Sequence, residues 1–501
     1  MRVSARRSSA GADSFAALAG RPGTPTFLWH DYETWGADPR RDRACQFASV
    51  RTDVDLNEIG EPCLVYCRPA TDLLPHPEAC LVTGITPQIA DREGLVEAEL
   101  ASVVNAQLSV AGTCGAGYNS MRFDDEVTRN LLYRNLLDPY AREWRNGNSR
   151  WDLIDALRLA HALRPEGLEW PTRDDGATSF KLEHLTDANR IEHGQAHDAL
   201  SDVRATIELA RRLRSAQTKL FDYALRLRDK RAVRGLLARR APLLHVSARY
   251  PASLGCIAPV LPLCSHPSNP NGVICVDLRA PARLLLDLSA DEIRARLFSP
   301  AGDLPDGVER VPLKTIHVNR APILAPMSTL TREAAKRWDI APAAIAEQAR
   351  LLRDSAAAVQ QKVRAVHLAG ARDAETDPDL MLYSGGFFSD ADRRAMEEIH
   401  RLDPTGLAAY PATFQDPRLG EMLFRYRARN WPDTLTPAER DDWDRFRLAR
   451  LTDPAAGGGI VFADYQRRLS ALSEQYAEDP HKLQVLHALA DWGERVLGRE
   501  A

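Results

Sequence analysis

The sequence predicts an α/β domain with a mixed sheet, followed by a β-rich segment and then by helices. Three observations carry this reading. Residues 25 to about 212 alternate strand-like apolar runs with helical periodicity. From about 218 to 370, short apolar runs are cut by Pro, Asn and Gly. From about 375 onward the apolar spacing is helical. At 501 residues and 44% hydrophobic content, the chain is too long for one core. The expected divisions are a flexible tail over 1–24, an α/β domain over 25–212, a β domain with a helical insert over 218–370, and a helical domain over 375–501.

The elements follow in order. Phe27-Leu28-Trp29 starts a strand, Gln46–Thr52 and Cys63–Cys67 continue the sheet around a turn near Asn57–Pro62, and Thr113–Tyr118 is a further strand. Helical spacing covers Asp125–Leu137, Trp151–Leu163, Leu182–Ala188 and His197–Leu213. In the β-rich part, strands are expected within Pro242–Tyr250, Cys256–Leu263, Gly272–Leu278 and Val311–Val318, with a helix at Ala290–Leu297 and helical spacing over Ile345–Leu368. Thr436-Pro437-Ala438-Glu439 has the pattern of a capping box with Pro at the first helical position, and Ser389 can cap the residues after it. Phe462–Leu497 reads as helix with a break at Asp479-Pro480.

Lys+Arg (65) nearly balance Asp+Glu (69), for a net charge of −4. A nucleic-acid partner would therefore meet a local basic groove rather than a global field. The eight cysteines form no CxxC pair, which predicts reduced core thiols in a cytoplasmic protein. No apolar stretch reaches 18 residues, so no transmembrane helix is expected. The Ser-, Arg-, Gly- and Ala-rich first 24 residues lack a secretory apolar run; they read as a tail, with an organellar transit segment as the alternative.

Chemistry begins at His30-Asp31-Tyr32-Glu33-Thr34. On a strand, Asp31 and Glu33 share one face. Two carboxylates so close repel one another and are best tolerated around a cation, and hard oxygen ligands select Mg²⁺ or Mn²⁺. Alone, such a pair is more often a solvated surface feature. Asp124, before an amphipathic helix, is either a further carboxylate of the site or a helix N-cap. His197 and Asp202 are five apart. They can meet if His197 sits on the entering loop and Asp202 one turn inside the helix; the alternative is a helix-start Asp198 beside a surface histidine.

Taken together, the order DxE, Asp, HxxxxD resembles the DEDD exonuclease superfamily, histidine subclass, at Asp31, Glu33, Asp124, His197 and Asp202. The stretches Leu81-Val82-Thr83-Gly84-Ile85-Thr86-Pro87, Gly117-Tyr118-Asn119, Arg122-Phe123-Asp124-Asp125-Glu126-Val127-Thr128-Arg129-Asn130, Asn148-Ser149-Arg150-Trp151-Asp152-Leu153, Gly386-Phe387-Phe388-Ser389-Asp390-Ala391-Asp392-Arg393 and Tyr426-Arg427-Ala428-Arg429-Asn430 are similar to the bacterial exonuclease I family. The resemblance spans nearly the whole chain after the tail.

It implies a ribonuclease-H-like exonuclease domain, an SH3-like β domain and an all-helical C-terminal domain. It also implies 3′→5′ hydrolysis of single-stranded DNA to nucleoside 5′-monophosphates, in DNA repair and recombination. Two Mg²⁺ (or Mn²⁺) ions would be held by Asp31, Glu33, Asp124 and Asp202, with His197 as general base. Thr83, Gly84, Arg129, Tyr140, Trp144, Arg158 and Lys181, with Glu33 again, are the implied substrate contacts. The segment Asp138–Trp151 interleaves basic and aromatic residues, as single-strand binding favours, although ordinary packing aromatics give the same pattern. Lys181 departs from the family pattern, where Arg is expected; Lys keeps the charge but loses the bidentate fork. Single-stranded-DNA-binding protein is the implied partner, through Arg164 and Tyr223. Nothing in the sequence signals an oligomer, and a monomer is expected. An exonuclease acting on RNA ends is the alternative activity, and a non-catalytic DNA-binding scaffold would have lost one of these ligands.

Overall fold

The computed structural model describes residues 23–194, 198–368, 375–411 and 413–498. The tail expected over 1–24 falls almost wholly outside them, and His197 lies outside them too. The chain forms two compact units: residues 1–149, 194–204 and 374–501 in the first, and 150–193 with 205–373 in the second.

In the first unit, strands β1 (Thr26–Thr34), β2 (Ala44–Thr52), β3 (Cys63–Tyr66) and β4 (Thr113–Gly117) lie in the order β3-β2-β1-β4. β1 runs antiparallel to β2 and parallel to β4, so the sheet is mixed as expected. Phe27, Leu28, Trp29 and His30 are buried in succession, the mark of a central strand covered on both faces. Leu28, Tyr32 and Phe47 pack with Leu100, Val104, Leu108, Val127 and Leu131, from the helices Glu97–Leu108 and Asp124–Arg134. A second core joins Trp35, Cys45, Leu73, Leu74 and Cys80 to Leu451, Phe462, Tyr465, Leu489 and Trp492 of the last helices. A third unites Tyr133 and Leu136 with Met396, Leu419, Met422 and Tyr426. The helical C-terminal part is thus built into the hydrophobic interior of the sheet's own unit.

Charge crosses the same boundary. Buried Asp72 lies 3.0 Å from Arg43, 2.9 Å from Arg429 and 3.6 Å from Arg450. Burial alone would raise its pKa, but the three guanidiniums hold it well below the usual carboxylate value.

After β5 (Ser149–Asp152), the second unit holds an antiparallel sheet ordered β10-β6-β7-β8-β9, from β6 (Leu243–Val246), β7 (Ile257–Ser265), β8 (Gly272–Asp277), β9 (Leu313–His317) and β10 (Ile323–Pro326). β7 carries Pro259 and Pro262 although it lies inside the sheet; its ladder to β8 shifts register between Pro262 and Cys264, where a bulge absorbs the missing donor. The helix Leu153–Leu163 seats His161 among Trp170, Phe180 and Trp338. Gly255 has φ +69°, and a Cβ there would meet the Trp338 ring at 2.6 Å, so both backbone and space call for glycine.

Several elements differ from the sequence reading. The β-rich segment opens with two helices, Thr218–Arg226 and Lys230–Ala238, the second capped by Asp229. The helical run Ile345–Leu368 is two helices, Pro342–Asp354 and Ala356–Leu368, separated at Ser355, whose ψ of 21° leaves the helical range. The capping box at Thr436 and Glu439, the Ser389 cap and the break before Pro480 are all formed. None of the eight cysteines forms a disulfide, and no helix among the described residues is long and apolar enough to cross a membrane.

Candidate active site

The end of β1 carries the acidic pair. Strand alternation sends Tyr32 into the core, where its hydroxyl lies 3.0 Å from that of Thr128 and its ring 4.9 Å from Phe47. Asp31 and Glu33 share the opposite face. Across the ladder Glu33 pairs with Gln46, whose Oε1 accepts the backbone N–H of Ala199 at 3.3 Å. Ala199 begins the helix Ala199–Ala216, so this bond ties the helix start to the strand pair bearing Glu33. Asp202 lies in the first turn of that helix. Asp31, Glu33 and Asp202 each offer an oxygen within 4.8 Å of the others.

Asp124 comes from a different helix, Asp124–Arg134. β4 leaves β1 after the pair Trp29 and Ala116. Beyond that point the N–H of Tyr32 donates to Asp124 Oδ1 at 3.1 Å. Asp124 is the first residue of its helix rather than the cap: Phe123 holds the cap position, and no side chain caps there. The helix-cap alternative for Asp124 is therefore not what the structure contains. Gly117, at the end of β4, permits the approach; a Cβ there would meet the His30 carbonyl at 2.9 Å and Ser120 Cβ at 2.7 Å.

The electrostatics are those of a site short of positive charge. Glu33 is pushed up to about 9, by burial first and then by Asp31, Asp202 and Asp198. Asp31 is raised well above its ordinary value, by burial and then by Asp124, Asp202 and Asp198. Repelling, partly desolvated carboxylates are the donor set that a hard divalent cation fits. The sequence marks Asp198 only as a helix-start residue. Its carboxylate does accept the Ser201 N–H at 3.0 Å, but it also adds to the field on Asp31 and Glu33. Its neighbour His197 is outside the described residues, so its placement is not part of this geometry.

The expected substrate contacts have distinct surroundings. Arg129 is buried: Glu143 takes two of its hydrogen bonds at 2.7 and 2.9 Å, and Glu126 a third at 2.8 Å. Burial opposes its charge, yet the bonds from Glu143 more than compensate and raise its pKa. Its guanidinium lies 5.4 Å over the ring of Tyr140. Trp144 is 63% exposed beside Arg145. Thr83 ends a short helix before Gly84, whose φ of +70° closes it, and the Thr83 hydroxyl accepts the Ile85 N–H. The sequence reading missed Phe387, 86% exposed with its ring edge-on to Tyr140 at 6.0 Å, and Tyr383, which joins Glu126 and Arg129. Only the resemblance around Gly386-Phe387-Phe388 pointed toward that segment.

In the second unit, Arg158 bonds Asp155 at 2.6 Å and lies 5.5 Å over the Phe180 ring. Lys181 is largely exposed, 3.6 Å from Glu183. Arg164 donates to the Thr329 carbonyl at 3.2 Å, and the Tyr223 hydroxyl to that of Leu324 at 2.6 Å, with Arg226 over the Tyr223 ring.

A mixed sheet whose central strand ends in paired carboxylates, met by a third on a following helix, offers the donor set of a divalent-metal-dependent nuclease. Accordingly, residues 28–210 match the family model described as Exonuclease, 228–369 the Exonuclease I SH3-like domain, and 376–496 the Exonuclease I C-terminal domain. The chain belongs to the exonuclease I family. It is 45% identical over 475 residues to Exodeoxyribonuclease I of Escherichia coli (strain K12), covering 94% of this chain and 98% of that relative. Among solved structures, it is similar to a moderately thermophilic Exonuclease I from Methylocaldum szegediense (49% identity, TM-score 0.90, 94% of this chain and 100% of that one). It is equally similar in fold to E. coli Exonuclease I in complex with a dA16 oligonucleotide (45% identity, TM-score 0.90, 94% and 100%).

Proposed function

We propose that this protein is an exodeoxyribonuclease that removes nucleotides from the 3′ end of single-stranded DNA and releases nucleoside 5′-monophosphates. The observation that carries the reading is the convergence of Asp31, Glu33 and Asp202 within 4.8 Å, in a chain of this family. Asp31, Glu33, Asp124 and Asp202 are the residues that would hold two Mg²⁺ ions, with Mn²⁺ as a substitute. Bound there, such ions stabilise charge on the attacking and leaving oxygens and acidify water. His197 takes the proton of the attacking water. Tyr140, Trp144 and Phe387 offer ring faces on which bases stack, and Glu33, Thr83 and Gly84 meet the terminal nucleotide. Arg158 and Lys181 neutralise phosphates, while Arg129 acts from within its ion-pair cluster.

The partner we propose is single-stranded-DNA-binding protein, its acidic tail meeting Arg164 and Tyr223. Exposed cations near Tyr223, Arg226 foremost, support that chemistry. We further propose a cytoplasmic monomer acting in DNA repair and recombination. The deciding experiment is digestion of 5′- and 3′-labelled single and double strands, with matched RNA, in Mg²⁺ and in EDTA. Metal-dependent loss of the 3′ label from single-stranded DNA is expected first. Attack from the 5′ end, or preference for RNA, would overturn the reading.

A further inference from the structure

The helix Asp124–Arg134 begins with three consecutive carboxylates, Asp124, Asp125 and Glu126, and has no side-chain cap. Its positive end favours these charges, but like charges in one turn repel and need external partners. Asp124 takes the Tyr32 N–H at 3.1 Å. Asp125 takes buried Arg142 at 2.6 Å. Glu126 takes Arg129 at 2.8 Å and the hydroxyl of Tyr383. Tyr383 also accepts from Arg129 at 3.1 Å, so a single phenol bridges both members of this i,i+3 pair. That phenol comes from the C-terminal segment, 257 residues away from Glu126 in sequence. Four residues beyond it, Phe387 rests against Tyr140, whose ring lies under the Arg129 guanidinium. The C-terminal segment therefore grips the Arg129 cluster at two points.

We propose that Tyr383 is a positioning residue: by holding Glu126 it fixes the first turn of the Asp124–Arg134 helix, and so sets the place of Asp124 beside Asp31. The C-terminal part of the chain then acts on the metal site itself as well as on the strand. The inference rests on the nuclease reading above. Groups that bond a metal ligand directly alter affinity or activity by about 10–100-fold when lost, so Tyr383, acting through Glu126, should give the low end of that range.

The test compares Tyr383→Phe, Glu126→Gln and the double variant with the full-length protein. Mn²⁺ affinity is read by electron paramagnetic resonance without DNA, and kcat and KM on a long single strand. Tyr383→Phe is expected to weaken Mn²⁺ binding about tenfold and to lower kcat by a similar factor, with KM within about twofold of wild type. Glu126→Gln should do the same, and the double variant should be little worse than either single one, because both remove one link. Wild-type Mn²⁺ affinity and kcat in Tyr383→Phe would overturn the proposal. So would a change confined to KM, which would make Tyr383 a strand contact instead. Additive losses in the double variant would also overturn it. Absence of metal-dependent cleavage by the wild type would sink the nuclease reading, a result distinguishable from all of these.

Discussion

The backbone N–H of Tyr32 donates to Asp124 Oδ1 at 3.1 Å, so the residue between Asp31 and Glu33 holds the carboxylate that arrives 92 positions later. The acidic strand and the acidic helix are thereby one assembly. Replacing Asp31 should remove function without unfolding that assembly, because the Tyr32 bond is made by backbone. Asp31→Ala is expected to lower kcat by more than about a hundredfold, beyond what loss of an outer partner costs. The melting temperature without metal should not fall. Cleavage of a 3′-labelled oligonucleotide and a thermal scan check both halves.

Burial and the neighbouring carboxylates push Glu33 up to about 9 from its ordinary 4.5. Between those values the folded state binds more protons than the unfolded chain, so stability falls as pH rises. Divalent cation should flatten that dependence, since it favours the ionised form. The wild type in EDTA is expected to lose melting temperature from pH 5 to 9 more steeply than Glu33→Gln, with the difference shrinking in Mg²⁺. Parallel curves for the two proteins would refute this.

Asp72 shifts the opposite way. Its folded pKa lies well below the unfolded value, so its stabilising effect is complete above the ordinary carboxylate range and is lost as pH falls through the folded value. Asp72→Asn leaves Arg43, Arg429 and Arg450 buried with less counter-charge. Removing one side of a buried ion pair costs about 3–5 kcal/mol. Urea unfolding at pH 7 should read a loss of that order, smaller at acid pH.

Lys181 stands exposed beside Glu183 and carries a single ammonium. Lys181→Arg offers two parallel donors to a phosphate and should tighten single-strand binding about fivefold, roughly 1 kcal/mol. Fluorescence anisotropy on a labelled oligonucleotide, with Asp31→Ala as background to prevent digestion, measures it. Unchanged affinity would remove Lys181 from the contact set.

The parts of this molecule legible in sequence are those whose physics is local. Strand period two put Asp31 and Glu33 together, and Thr436 with Glu439 marked a helix start, because each depends on neighbours a few residues away. The short helices Pro77–Thr83 and Pro87–Glu93 have too few residues for an apolar period to show, and only their leading prolines mark them. Sequence shows only the helix-start role of Asp198, because its capping bond is local while its effect on Asp31 is through space. Tyr383 was out of reach altogether: no periodicity connects it to Glu126. The same holds for Asp72, whose partners lie up to 378 positions away, at Arg450.

The core that packs Trp35, Cys45 and Leu74 against Phe462, Tyr465, Leu489 and Trp492 bears on how the enzyme is made. A ribosome delivers the acidic strand early and the final helices last. Until those helices emerge, Trp35, Cys45 and Leu74 lack the part of their cover that Phe462, Tyr465, Leu489 and Trp492 provide. A chain stalled midway would therefore carry uncovered apolar surface next to the acidic strand, the kind of surface that invites aggregation and chaperone binding.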